Sequence, residues 1–305
     1  MNTKTDIQLF SREFRASVNQ RLDELIDNAS SNDALTEAIR YSLLAPGKRL
    51  RPLICLMSSH CLGGSLEQTL DPACAIEMIH TASLIVDDLP CMDDAKMRRS
   101  MPACHRCYGE ATSILAALEL LSLGYRVMSE APGVDAERRV RLVQVLARAV
   151  GVNGLIGGQD LDLAALQKGD DSATNTDCVS RIHELKTSSL FIAAAESGAT
   201  VAGLEGDQMI PIRQFAARLG LAYQTLDDLL DAQGSVRTTG KDVRKDLDKP
   251  TLVGVLGEDS AADYARNMIA AAMAALQPLG PGMEPLENLV ISLIENSATT
   301  EQALT

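Results

Sequence analysis

Apolar residues recur at three- and four-residue spacing along nearly the whole chain, and the strict alternation of a half-buried strand is hard to find. The pattern predicts helices over residues 6–29, 33–45, 50–61, 73–89, 109–131, 134–152, 155–167, 176–198, 207–233, 259–276 and 283–297. Punctuation falls between them, at Pro46-Gly47, Gly63-Gly64, Pro132-Gly133, Gly169-Asp170-Asp171 and from Pro278 to Pro281. No fixed-period repeat and no low-complexity linker divides the chain, so one domain over residues 1–305 is expected. Gln233 to Pro250 is the longest polar connection, and its mixed charges without apolar anchors suggest a mobile flap.

Two segments break the amphipathic rule. Ala73 to Asp88 is apolar on almost every face except along a stripe of Glu77, His80, Asp87 and Asp88. A helix apolar nearly all round is buried, so these carboxylates are expected to face an internal cavity. Pro90 then disfavours helix at Leu89 and turns the chain into a loop carrying Asp93 and Asp94. Phe215 to Asp231 repeats the pattern with Gln224, Asp227, Asp228 and Asp231 on one stripe. A lone acidic pair is usually a solvated helix face. Two such stripes on apolar helices reverse that reading, because unpaired buried carboxylates cost several kcal/mol each. Divalent cations remove the penalty, and oxygen-only donors suit a hard ion such as Mg²⁺, which binds through one or two carboxylates plus substrate phosphates.

Composition strengthens the helical reading. Among 305 residues Trp is absent and Phe and Tyr number 4 and 5, which disfavours sheet. The net charge of −13 argues against a nucleic-acid partner, which would require a basic face. No stretch reads as a signal peptide or as apolar enough to span a bilayer. Seven cysteines in so long a chain are not a disulfide framework, so a reducing, cytoplasmic setting is expected. Cys104-His105-Arg106-Cys107 is one C-x-x-C without a second pair, and packing outweighs zinc or redox chemistry there. His60 and His183 are read as packing or surface residues.

The basic groups are short and separate: Gly47-Lys48-Arg49-Leu50-Arg51-Pro52, Arg98-Arg99, Lys186-Thr187 and, in the flap, Lys241. Guanidinium forks and ammonium groups clamp diphosphates. With the carboxylates they describe a cavity for two diphosphates, one gripped by metal and one by basic side chains.

Asp87-Asp88-Leu-Pro-Cys-Met-Asp93 followed by Arg98-Arg99, with Asp227-Asp228-Leu-Leu-Asp231 downstream, resembles the two aspartate-rich motifs of trans-isoprenyl diphosphate synthases. The turn from Gly47 to Pro52, the segment Gly158-Gln159-Asp-Leu-Asp162 and Lys186-Thr187 match that family in order and spacing, with core motifs over residues 35–256. The resemblance implies an all-α isoprenoid-synthase fold, a single large helical bundle around a central cavity, usually a homodimer. It implies condensation of isopentenyl diphosphate head-to-tail with an allylic diphosphate. By carry-over Asp87, Asp88, Asp93, Asp227, Asp228 and Asp231 hold Mg²⁺ on the allylic diphosphate, which Arg98, Lys186 and Lys241 also contact. Lys48, Arg51, His80 and Arg99 bind isopentenyl diphosphate, and Thr187 and Gln224 lie near the allylic carbon. No side-chain base is needed, since the released diphosphate takes the proton, which suits a chain with no evident His–carboxylate dyad.

In the family the residues four and five before the first aspartate floor the product cavity. Here they are Ser83 and Ala82, both small, which favours geranylgeranyl over farnesyl diphosphate as the product. The pattern departs from the family at Ala117-Leu118-Glu119, where Gly-Asp-Ala is common, and at Ser100-Met101, where Gly-Lys is frequent. Val86 and Ala95-Lys96 depart as well. These changes keep open a non-catalytic regulatory subunit of the same fold. A terpene cyclase would lack the second aspartate cluster, and a magnesium phosphohydrolase would need a strand-borne nucleophile.

Overall fold

The computed structural model describes residues 4–27, 33–168, 175–233 and 251–292. Among the described residues the regular structure is helical apart from one tiny hairpin. In chain order α1 is Lys4–Asp27, α2 Ala34–Leu43, α3 Leu50–Cys61 and α4 Leu66–Asp87. Strands β1 (Met97–Arg98) and β2 (Met101–Pro102) follow, then α5 Cys104–Tyr108, α6 Glu110–Ser129 and α7 Ala136–Val150. Next come α8 Leu155–Lys168, α9 Thr176–His183, a π-helical turn Glu184–Ser188, α10 Ser189–Val201 and α11 Met209–Gln233. The last are α12 Leu252–Leu256, α13 Glu258–Leu276 and α14, residues 284–292.

Side-chain caps set several starts where the chain turns. Asp33, Ser65, Asp135, Asn175 and Thr251 each accept from the backbone N–H three residues on. Such a cap contributes about 1 kcal/mol. The long helices match the expected spans closely except at α4, which begins at Leu66 rather than 73. The short α5 and α12 lie outside those spans, and the span 176–198 is divided by the π turn. Pro72 reads as a helix start, yet it lies inside α4, where it removes one backbone hydrogen bond of the second turn. The expected break at Gly169–Asp171 and the flap from residue 234 lie outside the described residues.

Helices α3, α4, α6, α10 and α11 pack side by side around the centre of the bundle. α10 is almost wholly buried and carries Phe191 and a run of alanines. Its Gly198 lies so close to α3 that a Cβ there would come within 2.2 Å of the Cys55 carbonyl. Close backbone approach of this kind is what the Ala- and Gly-rich composition supplies. The Pro72 end of α4 is tied to α1 by the two-pronged Arg21–Asp71 pair at 2.7 and 3.0 Å.

Two helical stretches, Glu110–Ser129 and Ala136–Ala165, are long and apolar enough to cross a membrane by length and composition, a test that core helices also pass. The second is interrupted by the turn at Gly151–Gly154 between α7 and α8. In α6 the apolarity has two faces. Ala116, Ala117, Leu120 and Leu123 pack inward, while Ile114, Leu115 and Leu118 lie outward, Leu115 at 54% and Leu118 at 56% exposure.

Candidate active site

Four elements converge on the acidic and basic residues. α4 ends at Asp87, where Pro90 forbids continuation, and the chain curls back so that the Asp93 N–H donates to the Asp87 carbonyl at 2.9 Å. The side chains of Asp87 and Asp93 therefore leave the same turn. Both are half-buried.

The π turn at Glu184–Ser188 does most to join the site. Its Lys186 ammonium lies 2.6 Å from Asp162 of α8 and 3.9 Å from Asp87 of α4. The next residue, Thr187, donates to Gln224 Oε1 of α11 at 2.7 Å, and Gln224 Nε2 donates to Asp228 at 2.8 Å. Two adjacent side chains thus link the α4 carboxylates to the α11 acidic stripe. Burial works against the charge on Lys186, but Asp87 and Asp162 outweigh it and raise its pKa. Gly158 permits this arrangement, since a Cβ there would sit 2.4 Å from the Lys186 backbone nitrogen. The extra residue of the π turn, a feature frequent at functional sites, lets Lys186 and Thr187 meet two different helices.

Gln224, Asp227, Asp228 and Asp231 all lie on a half-buried stripe of α11, as their spacing predicts. Gln159 of α8 points its amide at the Met92 sulfur, 3.9 Å away, beside the first aspartate loop. Lys241 lies outside the described residues.

The basic residues gather between α3, α4 and the hairpin. Arg51 Nη1 lies 3.2 Å from His80 Nε2, and its guanidinium stacks over Phe191 at 4.8 Å. A guanidinium can only donate, so His80 accepts through Nε2 as a neutral ring. Burial, reinforced by Arg51, Arg99 and Arg98, holds its pKa well below the usual imidazole value. Lys48 is exposed at the mouth of a cleft lined by Leu50, Leu219, Tyr223 and Asp227.

Three expectations about the first acidic stripe need correction. Glu77 does not open onto a cavity. It is buried and paired with Arg49 at 2.7 Å and Arg99 at 3.4 Å. Asp88, expected as a cation ligand, is 2% exposed, and both its oxygens accept from Arg98. A buried carboxylate satisfied by a guanidinium fork has little left to offer an ion. Of the two small residues expected to floor the cavity, Ser83 shares the half-buried face with His80 and Asp87, whereas Ala82 belongs to the packed core.

Sequence reasoning also missed two features. Arg99 and Ser100 both adopt positive φ, 53° and 62°, as the two central residues of the hairpin turn, the backbone of a type I′ turn. Ser100 thus fills a left-handed position where the family's glycine sits without strain. His183 was read as packing, yet its Nε2 faces Asp228 at 3.6 Å, so a His–carboxylate pair does exist. Burial pushes this imidazole down to a pKa of about 4, with Asp162 opposing, so the ring is neutral at ordinary pH. A lone histidine on an apolar helix carries no signal of its partner. The Cys104–Cys107 turn stays structural: Cys107 donates to Tyr41, whose hydroxyl donates to the Pro102 carbonyl and steadies the hairpin.

Among the described residues no three acidic or imidazole groups converge closely enough to hold an ion by themselves. The donor set nevertheless fits Mg²⁺. It is oxygen-only, spread over α4, its loop and α11, and the cation chemistry that suits it takes part of its shell from phosphates.

The sequence profile of the polyprenyl synthetase family matches residues 32–275. The chain is 39% identical over 253 residues to a geranylgeranyl diphosphate synthase of Pantoea ananas, covering 82% of each. It is 41% identical over 276 residues to geranylgeranyl pyrophosphate synthase 6, mitochondrial, of Arabidopsis thaliana, covering 86% of this chain and 81% of that one. An apo farnesyl/geranylfarnesyl diphosphate synthase from Zymomonas mobilis superposes with a TM-score of 0.83 at 29% identity, over 94% of this chain and 98% of the other. A Helicobacter pylori geranyltransferase complexed with magnesium and isoprenyl diphosphate gives 0.82 at 29% identity, over 93% and 97%. With both aspartate groups, the basic cluster and the helical architecture in place, the chain belongs to the polyprenyl synthetase family.

Proposed function

We propose that this protein is a short-chain prenyltransferase that condenses isopentenyl diphosphate head-to-tail with allylic diphosphates and makes mainly geranylgeranyl diphosphate. The observation that carries this reading is the Lys186–Thr187 pair, which ties the Asp87 side of the site to Gln224 and Asp228. That geometry brings a cation, two acidic helices and a polar pair to one place between apolar helices.

Mg²⁺, bound with the allylic diphosphate by Asp87, Asp93, Asp227, Asp228 and Asp231, would supply Lewis-acid stabilisation of charge on the departing diphosphate. Lys186 places its ammonium against the same group, as would Lys241 from the flap. Asp88 acts through Arg98, holding that guanidinium at the site's edge. Arg51, Arg99, Lys48 and neutral His80 bind isopentenyl diphosphate. Gln224 and Thr187 present oxygen dipoles toward the allylic carbon as its bond to oxygen lengthens, and preorganised dipoles act strongly where water is excluded. The isopentenyl double bond attacks that carbon, and the proton lost from the adduct passes to the released diphosphate. Gln159 and Asp162 position the Met92 loop and Lys186.

The exposed Ile114, Leu115 and Leu118 of α6 support a homodimer, since an apolar helix face on a folded surface marks an interaction site. All seven cysteines are free thiols, in keeping with a reducing, cytoplasmic setting.

The test is an assay of the purified chain alone with isopentenyl diphosphate, Mg²⁺ and each allylic diphosphate in turn, with the products dephosphorylated and chromatographed. Geranylgeraniol is the expected main product. Farnesol as the end product would reassign the chain length, and no product from any pair would favour a regulatory subunit.

Ser83 offers a direct probe of chain length. Ser83→Phe should shift the product toward farnesyl diphosphate, because an aromatic ring one helical turn below Asp87 fills the space the growing chain needs. An unchanged product would discard Ser83 as the floor. Ala82→Tyr is the poorer probe, since overpacking a filled core costs about 1–3 kcal/mol.

A further inference from the structure

We propose that His183 is a positioning residue for Asp228, holding that carboxylate from the side opposite its Gln224 hydrogen bond. The proposal rests on the reading of the α11 aspartates as cation-binding.

Both side chains are buried to the same degree, each 8% exposed. Gln224 Nε2 donates to Asp228 Oδ1 at 2.8 Å, while His183 Nε2 faces Oδ2 at 3.6 Å. The carboxylate therefore sits between an amide on one side and an imidazole on the other. A separation of 3.6 Å is too long for a direct hydrogen bond. The ring thus packs against Oδ2 and limits the rotation of the carboxylate.

Asp162 also acts on the ring through its charge, but Asp228 is the carboxylate within 4 Å of it among the described residues. The His183 Nδ1 is buried and has no hydrogen-bond partner among the described residues. Burying an unpaired polar nitrogen costs about 1–3 kcal/mol, so an apolar side chain would pack better at this position if packing were the only role. The approach of Nε2 to Asp228 at 3.6 Å is a contact an apolar side chain would not make.

The chain geometry points the same way. His183 is the last residue of α9, and the π turn starts at Glu184. From one irregular stretch His183, Lys186 and Thr187 reach Asp228, Asp162 and Gln224 respectively. Hydrogen bonds run from Thr187 to Gln224 and on to Asp228, and the His183 ring closes the circuit by contact at 3.6 Å. Such a closed arrangement fixes the rotamer of Asp228 from both ends, and outer groups of this type hold the orientation of metal-binding side chains.

Calorimetric titration of Mg²⁺ in the presence of inorganic pyrophosphate tests this without turnover. His183→Ala should weaken Mg²⁺ binding by about tenfold, the lower end of what loss of such an outer group costs. Metal-free thermal melting should stay close to that of the parent. His183→Gln, which restores a planar polar group of similar reach against Oδ2, should recover most of the affinity. In steady-state assays the loss should appear in the Mg²⁺ dependence of the rate, with the KM for isopentenyl diphosphate unchanged. Unaltered Mg²⁺ affinity in His183→Ala, or a glutamine variant no better than alanine, overturns the proposal. If the alanine variant does not fold, His183→Gln compared with His183→Met carries the same test. Asp227→Ala separates the two readings. If it abolishes binding while the His183 variants leave it intact, only the role of His183 falls. If it too leaves binding intact, the cation-site reading falls.

Discussion

Asp87→Ala or Asp227→Ala is expected to lower turnover by about three orders of magnitude while the protein still folds. A single preorganised donor to developing negative charge is worth about 10²–10³ in rate, and a lost cation ligand removes a stronger source of stabilisation. The fold should survive for a separate reason. Both residues are half-buried on stripes crowded with other carboxylates, so deletion relieves like-charge repulsion as well as removing contacts. The measurement is the steady-state rate at saturating Mg²⁺ and both substrates, beside thermal melting and circular dichroism. Near-full turnover in either variant would remove the metal assignment. Unfolding would instead show that these side chains hold the bundle together.

The second large effect falls on stability. Glu77→Ala should destabilise the protein by about 3–5 kcal/mol, because removing one partner of a buried ion pair leaves the other charge uncompensated. Arg49 would be the stranded group. Its guanidinium is buried and spans Asn19 at 2.8 Å, Glu77 at 2.7 Å and the carbonyls of Leu43 and Ala45 at 2.9 Å each. Three helices and the turn before α3 therefore meet on one guanidinium, and Arg99 of the hairpin leans on the same Glu77 carboxylate. A melting temperature lowered by roughly 10 °C is the expected readout, taking about 2–4 °C per kcal/mol for a chain of this size. Because Arg99 loses its anchor, the KM for isopentenyl diphosphate should rise in the same variant. A melting temperature within a degree of the parent would show that the pair contributes nothing net. Glu77→Gln should fall between the two, since it keeps an acceptor for Arg49 but loses the charge.

Much of the architecture was legible in the chain because it depends on local, repeated signals. The 3.6-residue apolar rhythm, the breaks at glycine and proline, and caps such as Asp33, Asp135 and Asn175 locate the long helices to within a few residues. The α11 stripe of Gln224, Asp227, Asp228 and Asp231 follows from the same geometry, since residues three and four apart share a face wherever the helix packs. Where a strong local signal pointed one way and the packing another, the reading failed. Pro72 looks like a helix start, but an already capped α4 carries through it.

The partners of charged groups were beyond local signals. Glu77 lies on the same helix as Asp87 and Asp88 caps it, yet of the three Asp87 is the one paired with Lys186. Arg49 arrives from 28 residues upstream and Arg98 from 10 downstream, and each takes a carboxylate that spacing alone assigns to the cavity. The π turn, the left-handed pair Arg99-Ser100 and the facing of His183 onto Asp228 arise in the same way. Each is a local conformation or contact imposed by elements distant in sequence, such as α8 pressing on Lys186 through Gly158. Sequence by itself determined that this chain is a helical bundle with two acidic stripes and a set of basic turns, because periodicity and residue chemistry are properties of neighbours along the chain. Only the tertiary structure decided which carboxylates remain turned to the site and which are spent on arginines, because an ion pair depends on which side chain packing brings within about 4 Å.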